Sequence, residues 1–341
     1  MLQVADTRPF AAARDRLVTT LLADPRDWPL LACTVRAAVL VPLALSVYVA
    51  QRREWMLFVV LAAAHLAVYV YHLEPFITMY HDVNHRRLFR RERQALTAVL
   101  HWLIAPLYGL TPNTYYIHHV LMHHPSDNMS DDVSTTLQYR RDSPMHFLRY
   151  YWTFMVSHRK VSAYMRQRYH RSTYSRRLIV GELLHVGVVG VLLWWAPLAT
   201  LIVFLIPLLV TRSLLIIGNW AEHAFIDPWA PGNLFRNSTN LLGAANARAF
   251  NVGYHIDHHL RPSAHFSTHP EHFRLHQARF GREDAVVLQD LNYPQLWWLL
   301  MTHRYRTLAD RLVELPGAPA RSREEKIAML KSRVVPIVDV P

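Results

Sequence analysis

Three histidine clusters and one isolated histidine carry most of the chemistry legible in this chain: His81-Asp-Val-Asn-His85, His119-Val-Leu-Met-His123-His124, His255-Ile-Asp-His258-His259, and His223 within Asn219-Trp-Ala-Glu-His223. Imidazole nitrogen is a common ligand for iron, zinc, copper and nickel. A structural zinc is satisfied by four ligands, so nine converging rings exceed one such site and point to two metal ions. Residues four apart share a helix face, and residues three apart nearly do. The spacing therefore predicts that His81 points with His85, His119 with His123, and His255 with His258 and His259. Adjacent residues fan by about 100°, so neighbouring rings can serve different ions of a dinuclear centre. Asn219 lies one turn before His223 on the same face, and helical spacing selects His119 over the adjacent His118. A metal-bound ring usually has its other N–H held by an acceptor; Asp82, Glu222 and Asp257 are the expected acceptors.

Elements that could position these groups follow from composition. The chain has 341 residues, 52% hydrophobic and 18% charged, with the apolar residues concentrated in blocks. Segments 31–50, 55–73, 178–195 and 198–217 each approach the roughly 20 residues needed to cross a bilayer core. The links within each pair are very short, Gln51-Arg-Arg-Glu54 and Ala196-Pro197, which predicts antiparallel neighbours. The expected fold is an all-α integral membrane protein: a single domain over 1–341, four transmembrane helices in two hairpins, and a cytoplasmic helical cap carrying the histidine boxes at 81–85, 118–124, 219–223 and 255–259. Both hairpins return the chain to the side it came from, which places all the clusters on one face. The arginines between and after the hairpins, among them Arg86, Arg87, Arg90, Arg91, Arg93, Arg166, Arg168, Arg171, Arg176 and Arg177, assign that face and both termini to the cytoplasm.

Other features set exclusions. The net charge of +12 accompanies no nucleic-acid motif; lipid contact and topology account for it. The single cysteine, Cys33, rules out an intrachain disulfide and a thiolate metal site. Segment 95–108 is too short to span and reads as interfacial or re-entrant, while 144–177 mixes aromatics with arginines as a surface-lying segment does. The tail from 317 to 341 reads as polar and mobile. His65, His72, His101 and His185 read as hydrogen-bonded interior residues, and His146, His158, His170 and His303 as surface. His265, His269, His272 and His276 follow the third cluster as a surface or gating segment. A transporter would hold its ligands near the membrane midplane, whereas these lie beyond the apolar blocks. No H-E-x-x-H peptidase motif occurs.

From about residue 31 to 276 the motifs resemble the membrane fatty acid desaturases. His81-Asp82-Val-Asn-His85 with Leu88-Phe89 resembles that family's first box, Asp127-Asn128 through Asp131-Asp132 its acidic continuation after the second, Asn219 and His223 its NxxxH ligands, and His255, His258 and His259 its third box. The second box departs: His119, His123 and His124 form HxxxHH, one residue longer than the commoner HxxHH and similar to the box of membrane alkane hydroxylases. Those hydroxylases usually carry Glu where this chain has Asp82. The resemblance implies two iron ions (Fe2+/Fe3+) held by His81, His85, His119, His123, His124, Asn219 (through a water), His223, His255, His258 and His259. It implies O2-dependent insertion of a double bond into a lipid or acyl-thioester chain, with hydroxylation or ketolation of an alkyl, fatty acyl or isoprenoid chain as the alternative. The chain lacks a haem-binding His-Pro-Gly-Gly, a cysteine cluster and a Gly-rich dinucleotide fingerprint, so a separate donor of ferredoxin, rubredoxin or cytochrome b5 type is expected. Arg-rich, Lys-poor usage suggests a bacterial inner membrane.

Overall fold

The computed structural model describes residues 8–169 and 172–337; the expectations for His170 and Arg171 fall outside the described residues. The fold is mostly helical, as the sequence predicts, with one two-stranded parallel sheet that it does not: β1 (Thr239–Leu242) pairs with β2 (Val286–Gln289), Thr239 opposite Val286 and Leu242 opposite Gln289. Among the described residues, four helices are long and apolar enough to cross a membrane: α1 (Pro25–Arg53), α2 (Trp55–His85), α6 (Thr173–Trp195) and α7 (Pro197–Glu222). Between them run the shorter apolar α3 (Ala95–Leu107), as expected too short to span, and α4 (Pro144–Met155) and α5 (His158–Tyr169). After them come α8 (His255–Leu260), α9 (His269–Arg282), α10 (Tyr293–Met301), α11 (Tyr305–Arg311) and α12 (Arg323–Ser332).

Length is the informative property of the long helices. α2 has 31 residues, about 46 Å at 1.5 Å per residue, against a hydrocarbon core of about 30 Å. Its first part is the predicted span 55–73, and its last turns are the first histidine box. α7 likewise runs past the predicted 198–217 and ends with Asn219 and Glu222 in its final turns. Side chains such as Val60, Val70, Leu183, Val186 and Val191 are mostly exposed along these helices, an arrangement that suits an apolar solvent.

The chain divides into two compact units. The first runs to Pro112 and includes Val188–Pro207. Within it the second half of α1, Leu40–Arg53, packs along α2, and Glu54 between them caps α2 by accepting from the Met56 and Leu57 amides. Gln51 accepts from the Ala199 amide at 2.6 Å, and the Tyr48 hydroxyl meets Thr200 Oγ1 at 2.9 Å. Beyond the first box, Arg86 pairs with Asp24 at 2.9 Å and Asp27 at 3.3 Å.

The second unit comprises Asn113–Gly187 and Leu208–Pro341. Its core gathers Tyr139, Tyr150, Trp220, Phe225, Leu288, Leu296, Leu300, Leu308 and Leu330 from α4, α7, β2, α10, α11, α12 and the loops before α4 and after α7. Polar groups are buried in it as well. The Arg141 guanidinium is fully buried and donates to the carbonyls of Thr136, Leu137, Tyr139, Ala224, Arg333 and Val335 at 2.7–3.1 Å; burial, only partly opposed by the charge of Asp142, pulls its pKa down to about 9. This corrects the expectation of a mobile tail. α12 carries a capping box, Ser322 with Glu325, and the carbonyls that follow it are fastened by Arg141.

Candidate metal centre

The second box lies on a π-helical segment, Tyr116–His123, followed by His124. A π-turn bonds residue i to i+5, so it aligns residues five apart where an α-helix aligns those four apart. His119 and His124 consequently converge, with their Nε2 atoms 3.1 Å apart, and His258 Nε2 lies 2.9 Å from His124 Nε2. The pairing of His119 with His123 predicted from α-helical spacing is thereby corrected. The additional residue of HxxxHH is taken up by the wider turn, and His123 is directed to a different set.

That second set is His123, His223, His255 and His259, whose ligand atoms all lie within 4.8 Å of one another. The four come from three places: the π-segment, the residue after α7, and two positions of α8. Three of the rings have Nδ1 held. His123 Nδ1 is 2.6 Å from Asp132 Oδ2, His259 Nδ1 is 2.7 Å from Asp127 Oδ1, and His223 Nδ1 donates to the Asn237 carbonyl at 2.9 Å. An Nδ1–H given to an acceptor leaves Nε2 as a lone pair. The Nε2 atoms of His123 and His259 are buried and meet no hydrogen-bond partner. Around a small divalent ion with metal–nitrogen bonds of about 2.1 Å, neighbouring ligand nitrogens lie about 3.0–3.4 Å apart, which matches the 3.4 Å between His223 and His255 Nε2 and the 2.9–3.1 Å in the first set.

The electrostatics favour the same form. Burial brings His223 down to about 3, and burial lowers His259 although Asp127 opposes it. Both rings are therefore neutral, as metal ligation requires. Burial works against the charge of Asp132, but His123 and Ser134 outweigh it and bring the carboxyl down to about 2. Asp132 raises His123 against its burial, so a metal bound at this ring would have to displace a proton. Asp132 is in turn fixed by Ser134, whose amide and hydroxyl donate to Oδ1 at 2.7 and 2.6 Å.

The remaining predicted residues divide. Asn219 donates through Nδ2 to the Tyr150 hydroxyl at 2.6 Å and the Ser134 carbonyl at 3.1 Å. Glu222 Oε1 is 3.7 Å from His255 Nδ1, beyond the hydrogen-bond range that the expected acceptor role requires. Asp257 does not hold a box histidine: its Oδ1 is 2.6 Å from His272 Nδ1 and its Oδ2 accepts from Asn240 at 3.1 Å, because a residue between His255 and His258 on a short helix faces the other way. His118 packs edge-on against Phe154 and belongs to neither set. In the first unit, His81 and His85 stack edge-to-face with centroids 5.0 Å apart, and His81 Nδ1 is 3.9 Å from Asp82. The groups that sequence reasoning did not assign are Asp127, Asp132 and Asn237. The acidic run after the second box was the available signal for the first two.

The chain matches the family model described as Fatty acid desaturase over residues 54–290. Comparison with curated proteins and with solved structures gives no match. The matched region covers more than half of the chain and contains all four histidine motifs: the chain belongs to the fatty acid desaturase family and is a membrane protein.

Proposed function

We propose that this member of the fatty acid desaturase family is an O2-dependent oxidoreductase that places a double bond in a lipid acyl chain. The observation that carries the reading is the pair of histidine sets in the second unit, with Asp127, Asp132 and the Asn237 carbonyl turning three rings so that their Nε2 atoms face inward. The donor set suits two irons: His123, His223, His255 and His259 would hold one, and His119, His124 and His258 the other. His81 and His85 are proposed as further ligands of the second ion on the family's motif order, and Asn219 as a ligand through water. When bound, the irons would supply O2 activation strong enough to take hydrogen from an unactivated methylene.

The chain's own residues hold and orient. Asp132 and Asp127 fix the ring planes and hold a proton of each ring at Nδ1, which turns Nε2 inward. The balance is one O2 and the two hydrogens of a CH2–CH2 pair, with two electrons and two protons from outside, giving one alkene and two waters. Those electrons call for an external one-electron carrier of ferredoxin, rubredoxin or cytochrome b5 type, and the arginine distribution supports a cytoplasmic active site with the spans arranged as two hairpins. One observation favours a second reading, hydroxylation or ketolation: the HxxxHH box with its π-turn is the spacing of alkane hydroxylases. In hydroxylation one O2, two electrons and two protons put one oxygen in the product and release one water; ketolation needs two such rounds at one carbon, two O2 with four electrons and four protons giving a ketone and three waters. How the chain is held against the reacting centre decides between them.

The test is iron per protein together with lipid products, in cells expressing the chain with a reductant. About two irons and new unsaturated acyl chains support desaturation, and two irons with hydroxylated or keto products support the second reading. Zinc, or no metal under iron-replete conditions, with unchanged lipids would overturn both. His223→Ala should abolish product and lower bound iron.

A further inference from the structure

Directly after the third box, the second unit contains a pocket of about 210 Å³ lined by Phe235, Leu260, Arg261, His272, His276, Arg279 and Phe280. α9 presents His272, His276 and Arg279 at i, i+4 and i+7, one face of the helix, and Arg261 faces them from the end of α8. We propose that this pocket binds a tetrahedral oxyanion of the phosphate class. The proposal rests on the pocket's own residues and stands apart from the oxidoreductase reading.

The pocket holds unmet donors. Arg261 Nε and Nη2 are buried and meet no hydrogen-bond partner. A guanidinium cannot shed its proton to relieve this, and a buried unmet donor to a charged group is costly. Arg279 lies over the Phe235 ring, 4.8 Å from its centroid, which fixes the guanidinium plane without using its N–H groups. Asp257 is the nearby carboxylate, and its two oxygens are already engaged by His272 and Asn240. His276 spends its Nδ1–H on the His272 carbonyl at 2.7 Å. Asp257 acts on Arg261 through charge, yet neither arginine is hydrogen-bonded to a carboxylate, and the two share one cavity walled by Phe235 and Phe280 in edge-to-face contact at 5.1 Å. Apolar walls strengthen an ionic hydrogen bond placed between them.

The same residues select the ligand. The paired imidazoles of His272 and His276, with centroids 4.1 Å apart, could suggest a metal, but two guanidiniums in the lining repel a cation. A carboxylate offers two oxygens, enough for one arginine fork. Forks from two separate elements suit a group with oxygens on several sides.

The experiment uses the full chain, metal-loaded, in detergent micelles, titrated by calorimetry with inorganic phosphate, with acetate, and with a soluble short-chain phosphatidic acid. Saturable phosphate binding is expected, with acetate at least about tenfold weaker and Arg279→Gln weakening phosphate by roughly tenfold or more. Arg279 is exposed, so this variant should fold, and an unchanged unfolding temperature checks it. Tighter binding of the lipid phosphate than of free phosphate assigns the site to a headgroup, and the reverse order to the free anion; either order supports the proposal. No binding at millimolar phosphate, acetate binding as tight as phosphate, or affinities that neither Arg279→Gln nor Arg261→Gln alters would overturn it.

Discussion

The long apolar helices and the loops that hold the histidines invert one another. Along α2 and α6 the exposed side chains are mostly apolar, Val60, Val70, Leu183 and Val186 among them, whereas in 127–142 and 237–240 the buried ones include Asn128, Asp132, Ser134, Thr136, Arg141, Asp142, Asn237 and Asn240. Hydrocarbon outside and hydrogen bonds inside is the reverse of the usual surface and core. The difference shows two ways of stabilising one chain. The helices satisfy their own backbones and need only an apolar solvent. The loops have no such internal ladder, so their buried polar groups must pair with one another: Asn128 with Thr136 and Asn237, Thr136 with the His223 carbonyl, Ser134 with Asp132. A network of that kind fixes ring orientations more sharply than apolar packing would.

The largest effect on this contrast should come from Arg141, the most connected buried group. Arg141→Met keeps the volume and strips the donors from carbonyls that stay buried. A loss of about 3–5 kcal/mol is expected, read as a lowered unfolding temperature with faster amide exchange at 333–337. Unchanged exchange there would show that the tail is held by α12 packing alone.

On the helix side the contrast is tested by Val186→Asp, at a side chain 62% exposed near the middle of α6. If its surroundings are lipid, Asp costs about 3 kcal/mol, seen as a smaller fraction of chain retained in membranes after alkaline extraction. A water-facing position would tolerate the change within about 0.5 kcal/mol, and full retention would remove the membrane side of the comparison.

The apolar helices were legible in the sequence because their signal is cumulative: some 20 apolar residues in a row need no partner elsewhere to be recognised. The histidine motifs were legible for a similar reason, each being local. What escaped depends on residues far apart or on a local departure from the α-helix. The pairing of His119 with His124 needs the π-turn, and the only trace of it was the additional residue in HxxxHH. β1 and β2 are four residues each and meet across some forty others. Asp257 shared the box with true candidates, yet its neighbours His255 and His258 fix which way it faces. Asp127 and Asn128 adopt left-handed backbone, φ 46° and 58°, a conformation these residue types tolerate better than most. That turn separates Asp127, which reaches His259, from Asp132, which reaches His123. A run of acidic residues does not disclose which members will turn inward.

That run supplies the finest test, since Asp131 and Asp132 are adjacent and chemically identical but only Asp132 is buried against a ring. Asp132→Asn keeps the shape and removes the charge that holds His123 Nδ1–H, and an amide can present its NH2 instead, leaving the ring in the wrong tautomer. Metal affinity should fall about 10–100-fold, measured by competition with a chelator at fixed pH, with little change in fold. Asp131→Asn should leave affinity within about twofold, as an exposed carboxylate has no orienting role. Equal losses in the two variants would mean that the loops act only through their overall negative field, and that the specific hydrogen bonds, which distinguish them from the helices, are not what prepares the rings for metal.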